Sequence, residues 1–206
     1  MSPAARAERV VTSGTFSLDG ETFDVDNNVW LIGDDEEVLI VDAAHDAETI
    51  TAAVAGRRVT AIVCTHGHDD HIGAAADLAE ATGAPVLLHP AERELWKAVH
   101  PGREPDAELT DGMLLTVAGV DVQVLHTPGH SWGSCSLYVP LLDAVFTGDT
   151  LFHGGPGATG RSYSDAPTIT ASIRGRLLTL PGGTVVHTGH GQDTTIAAER
   201  ANLSAA

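Results

Sequence analysis

The stretch Thr65-His66-Gly67-His68-Asp69-Asp70-His71 constrains this chain more than any other, because three histidines and two carboxylates fall within six residues. It follows directly on the apolar run Ala61-Ile62-Val63-Cys64, which puts the imidazoles on a turn at the end of a β-strand. Ile72-Gly73-Ala74-Ala75-Ala76 then begins a helix, so the same turn lies at a helix N-terminus. His66 and His68 are two apart in extended chain and can face the same way to grip one cation. Asp70 and His71 are adjacent and diverge, which suits a second cation beside the first. Neutral imidazole nitrogen and carboxylate oxygen are the donors expected for zinc or iron. A polar loop with chance histidines would leave that density of donors without a reason.

The same design recurs at three later strand ends. His130 lies in Thr127-Pro128-Gly129-His130-Ser131, Asp149 in Thr147-Gly148-Asp149-Thr150, and His190 in Thr188-Gly189-His190-Gly191. Each follows a short β-type run and has glycine beside it, which permits tight turn geometry and is expected to leave room for a neighbouring metal. Singly each is weak. Together with the six-residue cluster they form a set of seven donors: His66, His68, Asp70, His71, His130, Asp149 and His190.

Composition narrows the functions open to such a site. The chain has 206 residues, 43% hydrophobic, which fits one globular domain over residues 1–206. The formal charge of −17, from 28 acidic against 11 basic residues, disfavours phosphate backbones and anionic membrane surfaces, so neither nucleic acid nor membrane is expected as a partner. Two cysteines, Cys64 and Cys135, without a Cys-x-x-Cys pair give no disulfide framework and read as small core residues. Met1 to Arg9 lacks the apolar segment of a signal peptide, and no apolar run approaches a membrane span, so a cytoplasmic location is expected.

The expected element order is a hairpin over Thr15 to Asp26, strands at Val29 to Ile32 and Val38 to Val41, and a helix over Ala47 to Ala55 capped by Asp46. The strand Arg58 to Thr65 delivers the metal turn, and one helix over Gly73 to Thr82 follows, ended by Gly83. A short strand at Val86 to Leu88 and a helix over Ala91 to Val99 precede Pro101 to Asp111, which reads as an exposed connection. Strands return at Met113 to Val117, Val122 to Leu125, Ser134 to Val139 and Ala144 to Phe146. Gly154 to Gly160 reads as a mobile glycine-rich segment. A helix over Ile169 to Leu178, a strand at Thr184 to Val186 and a helix over Ile196 to Leu203 close the chain. Two sheets with helices outside is the natural α/β architecture for this order.

With these residues in view the chain resembles the metallo-β-lactamase superfamily, and over nearly its whole length it is similar to the small glyoxalase II-like hydrolases. The family pattern His-x-His-x-Asp-His matches residues 66–71, and the later single His, bridging Asp and last His match His130, Asp149 and His190. Phe152-His153-Gly154-Gly155 and the run from Gly189 to Ile196 resemble the glyoxalase II-like branch. The resemblance implies a four-layer αβ/βα sandwich with two divalent metals, zinc expected and iron or manganese as alternatives. His66, His68 and His130 would hold one, Asp70, His71 and His190 the other, and Asp149 would bridge them. Asp42, which ends a strand as a matching Asp does in the family, would orient a ligand histidine, or else serves as a turn residue. The better-known β-lactamase subclass carries Cys where this chain has Asp149, which disfavours antibiotic hydrolysis.

Two cations about 3.5–4 Å apart can share one water and make it a hydroxide near neutral pH. Such a site would attack a carbonyl carbon, with Asp70 orienting the nucleophile as the catalytic residue. A thiolate leaving group, with a free pKa of about 8.5, departs without a strong acid, so a thioester suits the site better than an amide. The family's glutathione clamp, a C-terminal basic region, has no counterpart in the sixteen residues after His190, and Lys97 is the single lysine. The resemblance therefore points to another small thiol, with S-acyl- or S-formyl-mycothiol as substrate and a place in formaldehyde detoxification. Arg161 and Tyr163 are the candidates to contact the carrier, and His153 and Trp132 to wall the pocket. The oligomer, monomer or homodimer, stays open.

His45, His89, His100, His126 and His187 are read as ordinary hydrogen-bonded histidines, with His126 and His187 near enough to ligand turns to brace them. The acidic stretch Asp34 to Glu37 reads as a solvated hairpin tip. Three other functions compete. A persulfide dioxygenase would use one iron on His66, His130 and Asp149, a lactone hydrolase would need an open acyl channel, and a non-catalytic binding module would be expected to have lost a donor.

Overall fold

The structure, a computed structural model, describes residues 4–205. The expectation for Met1 to Arg9 falls partly outside them. Strands β1 (Arg6–Leu18) and β2 (Glu21–Gly33) form one long antiparallel hairpin turned by Asp19-Gly20. The separate strand expected at Val29 to Ile32 is the inner half of β2, since the ladder with β1 runs unbroken from Leu18↔Glu21 to Arg6↔Gly33. β3 (Glu37–Val41), β4 (Arg58–Val63), β5 (Val86–Leu88) and β6 (Ala107–Glu108) complete a six-stranded sheet in the order β1 to β6, parallel from β3 onward. Parallel neighbours need crossovers. These are α1 (Ala47–Val54), then α2 (Asp69–Ile72) with α3 (Ala75–Thr82), then α4 (Arg93–Val99).

The second sheet contains β7 (Leu114–Val117), β8 (Val120–His126), β9 (Cys135–Val139) and β10 (Ala144–Gly148). After a small ribbon of β11 (Leu151–Phe152) and β12 (Gly155–Pro156), and helix α5 (Ala166–Ser172), come β13 (Val185–Thr188), β14 (Thr194–Thr195) and α6 (Ile196–Ala205). Its order is β14-β13-β10-β9-β8-β7.

Period-two alternation sorts the apolar runs into three cores. In the first sheet Leu31, Ile40, Ile62 and Leu88 face α1, α3 and α4, while Trp30, Ile32, Leu39 and Val63 face the second sheet. There they meet Val122, Val124, Leu137 and Phe146. On the far side Val145 and Val186 pack under Ile169, Ile173 and Ile196. The result is helix, sheet, sheet, helix, the four layers expected. Strands buried on both faces explain why their sequences are continuous apolar runs rather than alternating ones.

Several boundaries differ from expectation. The helix expected over Gly73 to Thr82 begins only at Ala75, and a separate helical turn, α2, lies within the metal turn. The two are divided where the Ala74 N–H donates to the Ala43 carbonyl at 2.9 Å instead of continuing the helical ladder. Pro101 to Asp111 is not wholly exposed: it contains β6, and Leu109 is fully buried. The glycine-rich segment begins as β12, and the Gly157 N–H donates to the Thr150 carbonyl at 3.1 Å, so its first half is hydrogen-bonded structure. The helix expected from Ile169 starts at Ala166, with Asp165 accepting from the Thr168 N–H at 2.9 Å, and runs into a π-helical stretch over Ile173–Leu177. Asp34 is buried rather than solvated, and its Oδ1 accepts from the N–H groups of Glu36 and Glu37 at 2.8 and 3.0 Å.

Candidate metal centre

Every one of the seven donors lies just beyond the C-terminal end of a strand, and the two sheets bring those ends to one edge of the sandwich. The turn after β4 carries His66, His68, Asp70 and His71. Asp149 follows β10 directly, and His130 and His190 follow β8 and β13. The His66, His68 and His130 donors fall within 4.8 Å of one another, as do those of Asp70, His71 and His190. A third overlapping set, His66, His71 and Asp149, joins the two. In the first triad His68 Nδ1 lies 3.0 Å from His66 Nε2 and 3.1 Å from His130 Nε2. In the second, His190 Nε2 lies 3.2 Å from His71 Nε2 and 3.3 Å from Asp70 Oδ2. Between them, Asp149 stands 3.3 Å from His71, 3.4 Å from His190 and 3.6 Å from His130.

The outer hydrogen bonds decide what these rings present inward. His71 Nδ1–H donates to Asp42 Oδ2 at 2.8 Å, His130 Nδ1–H to the Ala158 carbonyl at 2.8 Å, and His190 Nδ1–H to the Asp26 carbonyl at 2.7 Å. The Thr65 hydroxyl donates to Asp42 at 2.9 Å, which leaves its lone pair to accept from His66 Nδ1–H at 3.1 Å. Each outer nitrogen is therefore the protonated one, and four Nε2 lone pairs converge with two carboxylates. Unprotonated nitrogens and carboxylates so arranged repel one another unless protons or cations lie between them. Asp70 Oδ1 and Asp149 Oδ1 are buried with no hydrogen-bond partner. Lone pairs without protons and orphaned carboxylate oxygens are what a divalent cation satisfies, so the residues fit a pair of metal ions.

Titration behaviour gives the same picture. Burial, then the neighbouring histidines, drive the His66 imidazole well below its ordinary value, and burial and His130 bring His68 down to about 3. Burial opposes charge on His71 and His190 too. There it is outweighed: Asp70, Asp149 and Asp42 hold His71 well above the ordinary value, and Asp149 and Asp70 lift His190 to about 10. Burial pushes Asp70 up, but His71, His190 and Asn27 bring it down to about 2. Without cations, protons on His71 and His190 balance the two carboxylates.

Asp42, expected either to orient a ligand histidine or to serve as a turn residue, has the geometry of both. It is 2% exposed, sits at φ 59°, and accepts from His71, from the Thr65 hydroxyl and from the Thr65 N–H at 2.7 Å. The glycines do something other than leave room for metal. A Cβ on Gly189 would come 2.3 Å from Asp149 Oδ1, and one on Gly148, at φ 48°, would come 2.4 Å from the Thr65 hydroxyl. They make room for protein groups, and those in turn face the site.

The proposed substrate contacts divide. Arg161 is already engaged: Nη1 pairs with Glu21 at 2.7 Å and the guanidinium lies 5.0 Å over Phe23 and 6.0 Å from Phe16. The Ser162 N–H donates to Asp19 at 2.9 Å and the Ser17 N–H to Asp69 at 3.1 Å, so the β1–β2 tip is tied to both the 158–165 loop and the metal turn. Phe16 thereby sits 5.0 Å from the His68 ring as part of the wall of the centre. Tyr163 is exposed in the same loop at φ 69°. Trp132 is 45% exposed, so it is not a core residue, and it lies in the turn after His130, accepting from His126 Nε2–H through its carbonyl at 3.0 Å. His153 is exposed and lines a cleft of about 380 Å³ with Phe152, His190, Gly191 and Gln192.

The unassigned histidines have structural partners: His187 lies between Trp30 and Phe146, His100 donates to the Ile72 carbonyl, and His89 stacks on His126. Both thiols are buried, which pushes their pKa values up. Sequence reasoning missed Asn27. Fully buried on β2, it donates to Asp70 Oδ2 at 3.0 Å and accepts from His45 Nε2–H at 2.7 Å. The signal was there, since two successive amides, Asn27 and Asn28, open the buried half of the strand. Among the described residues no helix is long and apolar enough to cross a membrane.

Comparison with known proteins agrees with this geometry. Residues 22–190 match the sequence profile of the Metallo-beta-lactamase superfamily. The hydroxyacylglutathione hydrolase GloC of Haemophilus influenzae is 32% identical over 189 residues, covering 84% of this chain and 89% of its own, and the probable metallo-hydrolase YqgX of Bacillus subtilis is 35% identical over 188 residues with the same coverage. Among solved structures, TTHA1623 in a di-iron-bound form superposes with a TM-score of 0.77 at 34% identity, over 85% of this chain and 93% of that one. The BLEG-1 B3 metallo-beta-lactamase gives 0.77 at 33%, over 91% and 95%, and ETHE1 from Myxococcus xanthus 0.70 at 29%, over 91% and 80%.

Proposed function

The chain belongs to the Metallo-beta-lactamase superfamily, and on that footing we propose that it is a dinuclear metal-dependent hydrolase acting on a thioester of a low-molecular-weight thiol. The observation that carries this reading is the pair of triads flanking Asp149, with four Nε2 lone pairs turned inward by hydrogen bonds to Asp42, Thr65, Asp26 and Ala158. His66, His68 and His130 would hold one cation, Asp70, His71 and His190 the other, with Asp149 between. When bound, two such cations, zinc in the first instance, supply a hydroxide nucleophile at neutral pH and a Lewis acid for the carbonyl oxygen.

The chain's own groups do the rest. Asn27 holds Asp70 by one oxygen and leaves Oδ1 without a hydrogen-bond partner, available to orient the attacking water. Phe16 and the ribbon strand residue Phe152, which lies 6.2 Å from the His190 ring, give the centre apolar walls that exclude bulk water. The carboxylates and imidazoles here are committed to one another, so a leaving group that needs no strong acid is favoured, and a thiolate meets that condition. GloC, a hydroxyacylglutathione hydrolase, is a relative of this kind. Glutathione itself carries carboxylates that need cationic partners. Arg161 is paired with Glu21, and Lys97 lies out on α4 beside Glu94. The substrate to test is a thioester of a carrier other than glutathione, S-acyl- or S-formyl-mycothiol, with His153, Tyr163 and Trp132 as its contacts.

The second reading, a mononuclear-iron persulfide dioxygenase, draws on His66, His130 and Asp149, and the likeness to ETHE1 brings it into the comparison. Both branches carry the full donor set, so the second triad does not divide them, and metal content and oxygen uptake do. Elemental analysis of the purified protein, with thioester cleavage, lactone cleavage, nitrocefin turnover and persulfide-dependent oxygen uptake measured in parallel, separates the readings. About two metals per chain with thioester cleavage alone is the expected result. One iron per chain with oxygen uptake overturns it, and β-lactam turnover would give the BLEG-1 likeness the weight instead.

A further inference from the structure

Glu92 has no place in the reading above, yet it is among the most buried charged side chains of the molecule, at 1% exposure. It precedes α4, on the helix layer of the first half. One carboxylate oxygen accepts from the Gly67 N–H at 2.8 Å and the other from the Gly133 N–H at 2.5 Å. Gly67 lies between His66 and His68. Gly133 lies three residues after His130. A single carboxylate therefore ties the turn after β4, which belongs to one sheet, to the turn after β8, which belongs to the other.

The surroundings are shaped for that carboxylate. A Cβ on Gly67 would come 3.0 Å from Glu92 Oε2 and 2.9 Å from Leu95 Cβ, and a Cβ on Gly133 would come 2.7 Å from Glu92 Cγ. Both donors are glycines because the carboxylate approaches the backbone where any side chain would stand. No arginine or lysine pairs with Glu92 among the described residues. An anion buried without an ion pair is costly unless its oxygens are filled by hydrogen bonds, and two backbone N–H groups do so here. Burial pushes its carboxyl up, and the bonds from Gly133, Ser131 and Gly67 counter that only in part.

We infer that Glu92 is a positioning residue that staples the His66/His68 turn to the His130 turn and so sets the spacing of the first triad. The inference rests on that triad being a cation site, as proposed above. Hydrogen-bonded groups behind metal ligands are worth about 10–100-fold in metal affinity. Glutamine at position 92 can accept from one of the two N–H groups but turns its own amide hydrogens on the other, and aspartate is one methylene too short to span both.

The test is cobalt(II) binding to the metal-free full-length protein by chelator competition, followed by the d–d spectrum. The two binding steps are assigned with His68→Ala and His190→Ala. Glu92→Gln is expected to weaken the step lost in His68→Ala by about tenfold or more, with an altered spectrum, and to change the step lost in His190→Ala by less than about twofold. Equal weakening of both steps, or of neither, overturns the staple. Should Glu92→Gln fail to fold, amide exchange of the wild-type apoprotein decides instead: slow exchange at both Gly67 and Gly133 is expected, and exchange at open-loop rates overturns it. A wild type that binds no cobalt sinks the metal-site reading, while the exchange rates still judge the staple by itself.

Discussion

At the scale of the residue, the centre is governed by groups that need never touch a substrate. Asp42 is the clearest case, because one carboxylate serves His71 and both polar groups of Thr65 from a left-handed backbone. Asparagine tolerates that backbone conformation, so Asp42→Asn isolates the hydrogen bonds from strain. With its NH2 in place of Oδ2 the amide leaves two of the three donors, His71 and the Thr65 hydroxyl, without an acceptor, and the expected outcome is metal binding weakened about 10–100-fold at the step that involves His71. Chelator competition measures it, and unchanged affinity would show that Asp42 does not set the His71 ring. The clustering of the seven candidate donors was legible in the sequence because metal chemistry restricts residue type and strand-end turns restrict place, while Asp42 was legible only as one of two alternatives. Asn27 and Glu92 were not. Amides and single carboxylates are common, and only their partners, 43 and 25 residues away for Asp70 and Gly67, give them a role.

At the scale of the element, the β1–β2 hairpin is more than an edge of the sheet. Its tip is held by Asp69, Ser162 and Arg161, and it lays Phe16 on the first triad. Arg161→Met keeps the apolar stem over the phenylalanine rings and removes the pair with Glu21. An ion pair this exposed is worth roughly 1 kcal/mol or less, so the urea midpoint moves little, while KM rises by up to about fivefold as the tip loosens. A fall in kcat with KM unchanged would contradict a role in positioning the wall. Deeper in, Phe146 of β10 is fully buried, 5.7 Å from Trp30 of β2 across the inter-sheet core. Phe146→Ala is expected to cost about 3–5 kcal/mol in urea unfolding, with a smaller loss showing that the sheets close over the cavity. Strand periodicity placed most elements, but it split β2, and the metal turn hid the short helix α2. Asn27 and Asn28 look like a break until their bonds to the site and to Thr188 are seen, and the Ala74 N–H leaves the helix for a carbonyl no local pattern predicts.

At the scale of the whole molecule, fold stability and metal loading are one equilibrium. In the metal-free protein His71 is held well above its ordinary value and His190 lies at about 10. From about pH 6.5 upward the unfolded chain has released protons that the folded chain keeps, so stability falls as pH rises toward about 10. Below about 6.5 the unfolded chain takes up protons that folded His66 and His68, the latter at about 3, refuse, so stability falls again as pH drops. The apoprotein Tm is therefore expected to peak near neutrality. Metal at about a thousand times its Kd adds about 4 kcal/mol per site and, by displacing the protons on His71 and His190, removes the loss above neutral pH. Thermal melts from pH 5 to 10 with chelator or zinc check this, and an apoprotein Tm that is flat from pH 7 to 10 would refute it.

The sequence by itself determined the donors, the layer architecture and the strand-end placement of the turns, because ligand chemistry and the burial of both sheet faces leave few residue types to choose from. The tertiary structure alone decided which nitrogen of each imidazole faces inward, that Arg161 is spent on Glu21, and that Asn27 and Glu92 stand behind the centre. Those are matters of partners brought together from opposite sheets, and spacing along one chain carries no record of them.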